Sequence, residues 1–186
     1  DVEFCEYATA TIFIDTTADI FQWQVSTNGI DWSDVTNNSN YSGATTNTLT
    51  IDPLAISFDQ YQYRVLLERT GNACGEISNE ITLSVSPLPV LNTNVTLSVC
   101  DTDADGITTF NLLNALPELS SNFSNETFVF FTSQSDAENN INPITNVNAF
   151  TNTTPTTQTI WVQVTSTFGC ATSTSFNLHV GTTQVP

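Results

Sequence analysis

Phe21-Gln-Trp-Gln-Val-Ser-Thr-Asn-Gly-Ile-Asp-Trp32 is the stretch whose reading decides the fold. Phe21, Trp23 and Val25 alternate with Gln22 and Gln24, the period-two pattern of a strand with one buried face. Asn28-Gly29 then interrupts the run. Both residues tolerate positive φ, so the pair predicts a two-residue type I′ turn and a hairpin in which Val25 faces Trp32. Trp23 and Trp32 both read as core. Outward from this hairpin, Ala10-Thr-Ile-Phe-Ile14, Leu49-Thr-Ile51 and residues 61–67 read as further strands, so the first half is strand after strand.

The end of this half recurs about 95 residues later. Tyr61-Gln-Tyr-Arg-Val65, Cys74 and Ile81-Thr-Leu-Ser-Val85 are matched by Ile160-Trp-Val-Gln-Val164, Cys170 and Phe176-Asn-Leu-His-Val180. Between them, Ser86-Pro-Leu-Pro-Val90 carries two prolines that cannot join a central strand and that stiffen a linker. The expectation is an all-β chain of two tandem β-sandwich domains, residues 1–87 and 88–186, with the boundary near residue 88. In the second half, residues 108–112, 127–132, 159–165 and 175–180 read as strands. Residues 112–119 and 135–139 read as helical turns, the latter with Ser135 as N-cap. The cysteines at 5, 74, 100 and 170 span 69 and 70 residues, one loop per half. That spacing suggests one disulfide in each domain, Cys5–Cys74 and Cys100–Cys170, and an oxidising compartment. Four cysteines allow three pairings, so the sequential one rests on the repeat. Zinc is the rival use, but the chain has no CxxC pair and one histidine, His179.

Leu49, Ile51, Leu54, Asp59, Tyr61, Tyr63 and Val65 resemble the E-to-F strand pattern of immunoglobulin-like domains. In that resemblance Trp23 stands for the strand-C core tryptophan and Tyr63 for the tyrosine-corner residue, while Val65 replaces the second inter-sheet cysteine. The run from Phe21 to Trp32 also resembles immunoglobulin-like repeats of large bacterial surface proteins. In the second half, Val99-Cys-Asp-Thr-Asp-Ala-Asp-Gly106, Thr109-Phe-Asn-Leu112, Phe130-Phe-Thr-Ser-Gln-Ser-Asp-Ala-Glu138, Asn142-Pro143, Gln158-Thr-Ile-Trp-Val-Gln-Val164 and Gly169-Cys170 resemble a repeat of flavobacterial proteins exported by type IX secretion, adhesin-like and gliding-associated ones among them. The resemblance implies a non-catalytic module of a bacterial surface adhesin. Such a module is a stalk or spacer at the cell surface, whose partners are neighbouring domains of its own polypeptide and a glycan or surface protein.

Composition narrows the function classes. The 186 residues carry a net charge of −17, only 11% are charged, lysine is absent, and Arg64 and Arg69 are the only cations. Thr (32) and Asn (20) supply the polarity instead, a bias toward strands and turns. A chain this acidic lacks the clustered cations that phosphate binding needs, which excludes nucleic acid as partner and an anionic membrane surface with it. No stretch approaches the length of apolar sequence that spans a bilayer. The chain opens without a basic region or apolar run, as a mature or excised fragment would. A Lys–Asn crosslink is impossible.

Asp101-Thr-Asp-Ala-Asp-Gly106 is the sharpest chemical motif. Alternate carboxylates followed by glycine at the sixth position match the first half of an EF-hand-type calcium loop, since calcium takes six to eight hard oxygens. The expected ligands are Asp101, Asp103, Asp105, the carbonyl of Ile107, Thr109 and Asn111, with calcium in a structural role. Position twelve is Leu112 instead of Glu, leaving Glu126, Asp136 or Glu138 as further candidates. An acidic turn closed by its own side chains is the competing account. Catalysis lacks parts: with one histidine, outward on the last strand, and no lysine, triads and Schiff bases have no members. Paired carboxylates of the glycosidase kind remain, among 19 acids. Trp161 lies opposite Ile160, Val162 and Val164, as a sugar-stacking or anchoring residue or as one packed under the 145–158 loop or against the first domain. It is the residue on which the alternative function, a carbohydrate-binding module of a secreted enzyme, depends. Sequons at Asn37, Asn40, Asn94, Asn122, Asn125 and Asn152 fit chance in so Asn- and Thr-rich a chain, and Asp15-Thr16-Thr17 resembles a short O-glycosylation signal of Bacteroidetes.

Overall fold

The computed structural model describes residues 2–71 and 75–182, the last by its backbone alone. Two compact units emerge, Asp1–Pro87 and Leu88–Pro186.

The first unit contains β1 (Val2–Cys5), β2 (Ala10–Phe13), β3 (Ile20–Ser26), β4 (Ser33–Asp34), β5 (Tyr41–Ser42), β6 (Thr48–Ile51), β7 (Gln62–Glu68), β8 (Glu76–Ile77) and β9 (Ile81–Ser86). One sheet is ordered β1-β9-β7-β3-β4, with β8 beside β7, and the other β2-β6-β5. Alternation makes them face each other. Ile12, Leu49 and Ile51 of the small sheet share a core with Trp23, Tyr63, Val65 and Leu83 of the large one. With β1 laid parallel to β9, this is the strand division of an immunoglobulin-type sandwich. Trp23 is buried, as its alternation demands, and its Nε1–H donates to Thr46 O at 2.9 Å. The buried Tyr63 hydroxyl meets that of Tyr41 at 3.0 Å. A tyrosine corner would send it to a backbone oxygen instead. Desolvation pushes both phenols above their ordinary range.

The expected turn takes another form. β3 and β4 pair Val25 with Ser33, not Trp32, and only Gly29 of the Asn-Gly pair has positive φ, +74°. Asn28 explains why: its Oδ1 accepts from the N–H groups of Ile30 and Asp31 at 2.9 and 2.8 Å. That local Asx arrangement competes with the left-handed conformation a type I′ turn needs. Trp32 consequently leaves the core and lies half-exposed, its ring 4.0 Å from the Arg64 guanidinium carbon.

The second unit contains β10 (Thr96–Asp101), β11 (Thr109–Phe110), β12 (Thr127–Phe131), β13 (Phe150–Thr151), β14 (Thr157–Thr165) and β15 (Ala171–Thr182), with the short helices α1 (Leu116–Leu119) and α2 (Gln134–Asn139). Its main sheet is β10-β15-β14-β12, faced by the pair β11-β13. Phe110, Leu112, Leu119, Phe130, Ile160, Val162, Phe176 and Leu178 form the core. Residues 112–115 make a 3₁₀ turn that leads into α1. The N-cap of α2 is Ser133, not Ser135. Ser133 Oγ accepts from the Asp136 N–H at 3.1 Å and donates to its carboxylate at 2.6 Å, so the capping serine and the first-turn acid hold each other.

The cysteines correct the expected pairing. Cys5 and Cys170 carry the described disulfide, and Cys100 is an exposed free thiol. Cys100–Cys170 is geometrically closed: Cys100 stands opposite Gly181, ten residues along β15 from Ala171. That separation is about 33 Å at the rise of a strand, against the roughly 7 Å limit of a disulfide between Cα atoms. Cys74, the expected partner of Cys5, lies outside the described residues. Cys5 itself stands opposite Ser86, at the end where the chain leaves the first unit. The neighbours Gly75 and Glu76 sit at the other end, with Glu76 opposite Leu67. In the second unit Cys170 immediately precedes β15 (Ala171–Thr182), on the side where the chain comes in toward Thr96.

Candidate functional site

Asp101 ends β10 opposite Thr182, and the chain turns away directly after it. Asp101 is 3% exposed, yet its carboxylate is not idle. Its Oδ1 accepts from the Asp103 N–H at 3.1 Å and its Oδ2 from the Gly106 N–H at 2.8 Å. Asp105 Oδ1 accepts from the Ile107 N–H at 2.7 Å. The loop is thus wound around its own acids, and oxygens of Asp101, Asp103 and Asp105 lie within 4.8 Å of one another.

Electrostatics follow from this crowding. The Gly106 N–H, with other backbone donors, holds Asp101 below the usual carboxylate range. A hydrogen bond with Asp101, reinforced by the charge of Asp105, pushes Asp103 up. One carboxyl of the trio therefore holds its proton more tightly, as like charges at this distance require. A divalent cation placed among the three carboxylates offsets that repulsion.

The loop's shape depends on two residues behind it. Ala104 and Gly106 have positive φ, +63° and +81°. A Cβ on Gly106 would meet Thr156 N at 3.0 Å and Pro155 Cβ at 3.1 Å, so the loop closes only over glycine. Asn152, 3% exposed, grips the far side. Its Oδ1 accepts from the Thr108 N–H at 2.7 Å, and its Nδ2 donates to Gly106 O at 2.8 Å and Thr154 O at 2.9 Å. In the sequence Asn152 stands out only as a sequon, which its burial closes to modification. A buried Asn forty-six residues from Gly106 leaves no local signature.

Four of the other expected ligands hold hydrogen bonds of their own. Thr109 Oγ1 meets Thr151 Oγ1 across β11-β13 at 3.3 Å. Asn111 Oδ1 accepts from the Leu113 N–H at 3.1 Å, capping the 3₁₀ turn. Asp136 is taken by Ser133 and Asn142, and Glu138 by Gln134. Ile107 follows the loop, its N–H bonded to Asp105 Oδ1.

His179 points outward and is exposed, as its alternation predicts. Trp161 is half-buried, opposite Phe131 and Ser175 in the sheet. Phe131 is fully buried, and α2 covers this part of the sheet, with Gln163 Nε2 donating to Ala137 O at 2.9 Å. Over this face the packing helix is α2. In the first unit, recesses are lined by Thr16, Thr17, Phe21 and Thr46, by Asp19 with Arg69, and by Phe13, Trp23 and Val65. Asp19 is the one carboxylate among these linings, so they offer no acid pair.

No helix among the described residues is long and apolar enough to cross a membrane. No curated protein matches the chain. Among solved structures, it is similar at 12% identity to the N-terminal four Ig domains of Dscam1 isoform 7.44, with a TM-score of 0.42 over 97% of this chain and 43% of that one. The insect immune protein hemolin gives 11%, 0.47, 98% and 44%, and the Ig1-2 module of Drosophila receptor protein tyrosine phosphatase DLAR gives 12%, 0.35, 96% and 93%. The chain thus spans under half the length of the first of these structures, and scores this low carry no argument beyond the strand order already described. Residues 1–87 match the family model of a domain of unknown function, DUF8696. Residues 96–186 match that of the Flavobacterium inter-domain disulphide bond domain.

Proposed function

We propose that this chain is a non-catalytic extracellular spacer, two β-sandwiches tied by the Cys5–Cys170 disulfide, within a flavobacterial surface adhesin. The observation that carries this reading is the placement of the two bonded cysteines. Cys5 lies at the end where the chain leaves its unit, Cys170 at the end where the chain comes into the other, and Cys100 is free. The name of the family matched by residues 96–186 speaks of an inter-domain disulphide, which supports the same pairing. A disulfide also points to an oxidising, extracellular setting. A bridge across the junction removes the hinge freedom that a Pro-containing linker otherwise leaves. Non-reducing peptide mapping tests this, with one linked pair expected, holding Cys5 and Cys170. Small-angle scattering then shows a single maximum dimension that broadens on reduction. A Cys5 peptide linked to Cys74, or a profile indifferent to reductant, would sink the idea.

The acidic loop belongs to the same proposal as a structural calcium site held by Asp101, Asp103 and Asp105, with the remaining oxygens from water. Its carboxylates are preassembled, and its backbone is braced by Asn152 and Gly106. Calcium at a hundred times its Kd would stabilise the unit by about 2.7 kcal/mol. Melts in calcium and in chelator test it, and equal midpoints retire it. The carbohydrate-module reading needs an exposed aromatic row. Trp161, half-buried beside the α2-covered Phe131, weighs against that.

A further inference from the structure

A recess in the first unit opens beside the start of β9. It holds about 220 Å³ and is lined by Phe13 and Ile14 at the end of β2, with Trp23, Val65, Ser78 and Ile81. That is far above the roughly 15 Å³ a single water needs. Its floor is core, since Trp23 and Val65 are buried, but its rim is open: Phe13 is 67% exposed and Ile81 only half-buried. Ser78 adds no free polarity. Its Oγ accepts from the Val65 N–H at 3.0 Å and donates to Asn79 O at 2.8 Å. The recess therefore asks for an apolar group.

The second unit fills the equivalent place with its own chain. In both units a first strand runs parallel to a last one, with Val2 opposite Leu83 and Leu97 opposite Leu178. On that register Ile81 corresponds to Phe176 and Thr82 to Asn177. The Asn177 N–H donates to Val95 O at 3.0 Å, one residue ahead of β10. Val95 is 7% exposed within the core, and Phe176 is 2% exposed. In the first unit the ladder starts only at Val2 and Leu83. The Leu83 N–H donates to Tyr61 O at 2.9 Å, so by the alternation of a strand the Thr82 N–H points to the opposite edge, the one β1 occupies. It lies just ahead of where β1 begins, beside the recess.

We infer that this recess is the seat of one aliphatic side chain, carried on an extended segment that runs along β9 into β1. The segment's carbonyl takes the Thr82 N–H as Val95 O takes that of Asn177. Its chemistry is that of residues 88–95, which carry no charge; a charged side chain would meet no partner in the recess. Main-chain pairing holds such a strand in place and the side-chain pocket selects what it carries. Seating it covers Ile81 and the floor at Trp23, and closes a stretch of sheet edge open to pairing with other chains. The inference is independent of the cysteine pairing.

The test extends the full oxidised chain. A copy of Leu88-Pro-Val-Leu-Asn-Thr-Asn-Val95 is joined directly ahead of Asp1, which brings the copied valine into register with the recess. The calorimetric transition of the first unit should rise by about 5 °C or more. Hydrogen exchange at the Thr82 amide should slow about tenfold or more. A second extension with Val95→Asp in the copy keeps the added backbone but should return the midpoint to that of the unextended chain. Unchanged midpoint and Thr82 exchange in the first extension overturn the proposal, and a rise that survives Val95→Asp overturns the aliphatic seat. The same eight residues added as a free peptide should leave Thr82 exchange unchanged. Saturable protection by that peptide at micromolar concentration would mark a site for a separate partner and overturn the assignment to the entering segment.

Discussion

Replacing Asn152 by alanine isolates the support of the acidic loop from its acids. The side chain makes three hydrogen bonds, to Thr108 N, Gly106 O and Thr154 O, from a position 3% exposed. Gly106 O keeps the Thr156 N–H at 3.0 Å after the change, so its loss is about 0.5 kcal/mol. The Thr108 N–H and Thr154 O give up their Asn152 partner, and orphaning such groups costs about 1–1.5 kcal/mol each. The sum is about 3 kcal/mol, which for a unit of this size lowers Tm by about 12 °C or more. Differential scanning calorimetry on the oxidised chain measures it, with the transition of the first unit as internal reference. Calcium binding, followed by isothermal titration, should weaken in parallel because Gly106 is no longer held. A fall under about 1 kcal/mol, or full destabilisation with calcium binding untouched, would refute the claim that Asn152 shapes the loop.

Gly106→Ala forces a side chain onto a φ of +81° against Thr156 N and Pro155, and should cost about 1–3 kcal/mol in urea unfolding. Asp101→Asn keeps one of the two acceptor oxygens that take the Asp103 and Gly106 N–H groups, turns the other into a donor and removes charge, so the calcium-free fold should lose about 1–3 kcal/mol and the calcium-dependent rise in Tm should vanish. Ser133→Ala should cost about 1 kcal/mol by far-UV melts, the usual loss of an N-cap. The Ser133 and Asn142 bonds lower the pKa of Asp136. The stability they contribute is therefore present above the ordinary carboxylate value and is lost as pH falls through the depressed one. Ser133→Ala should accordingly flatten the acid limb of a stability-versus-pH curve below about pH 4, and an unchanged limb would dismiss this linkage.

Alternation made most of the β-structure legible. Trp23, Leu49, Ile51, Val65, Ile160 and Val162 are buried where a period of two puts them. The first strands were harder to see. Thr96-Leu-Ser-Val-Cys100 alternates, but the aspartates that follow drew its end into a metal motif. Val2–Cys5 is too short for periodicity to speak. Parallel pairing of a first strand with a last one is non-local, and no local pattern encodes it. The disulfide error has the same root. Equal spacing between cysteines records the repeat, and a repeat is equally compatible with bridges inside units and between them. In the acidic loop the carboxylates could be read from composition and order, whereas the diversion of Thr109 and Asn111 to Thr151 and Leu113 depended on where strands and caps fell.

The side-by-side course of β10 and β15 bears on how such a unit meets tension. The six residue pairs from Thr96–Asn177 to Asp101–Thr182 run along one axis, with the chain arriving at one end of the ladder and departing at the other. Opposed pulling on the two ends therefore drives the strands past each other in shear. The ladder's bonds bear load together and must break together, unlike a hairpin peeled open one rung at a time.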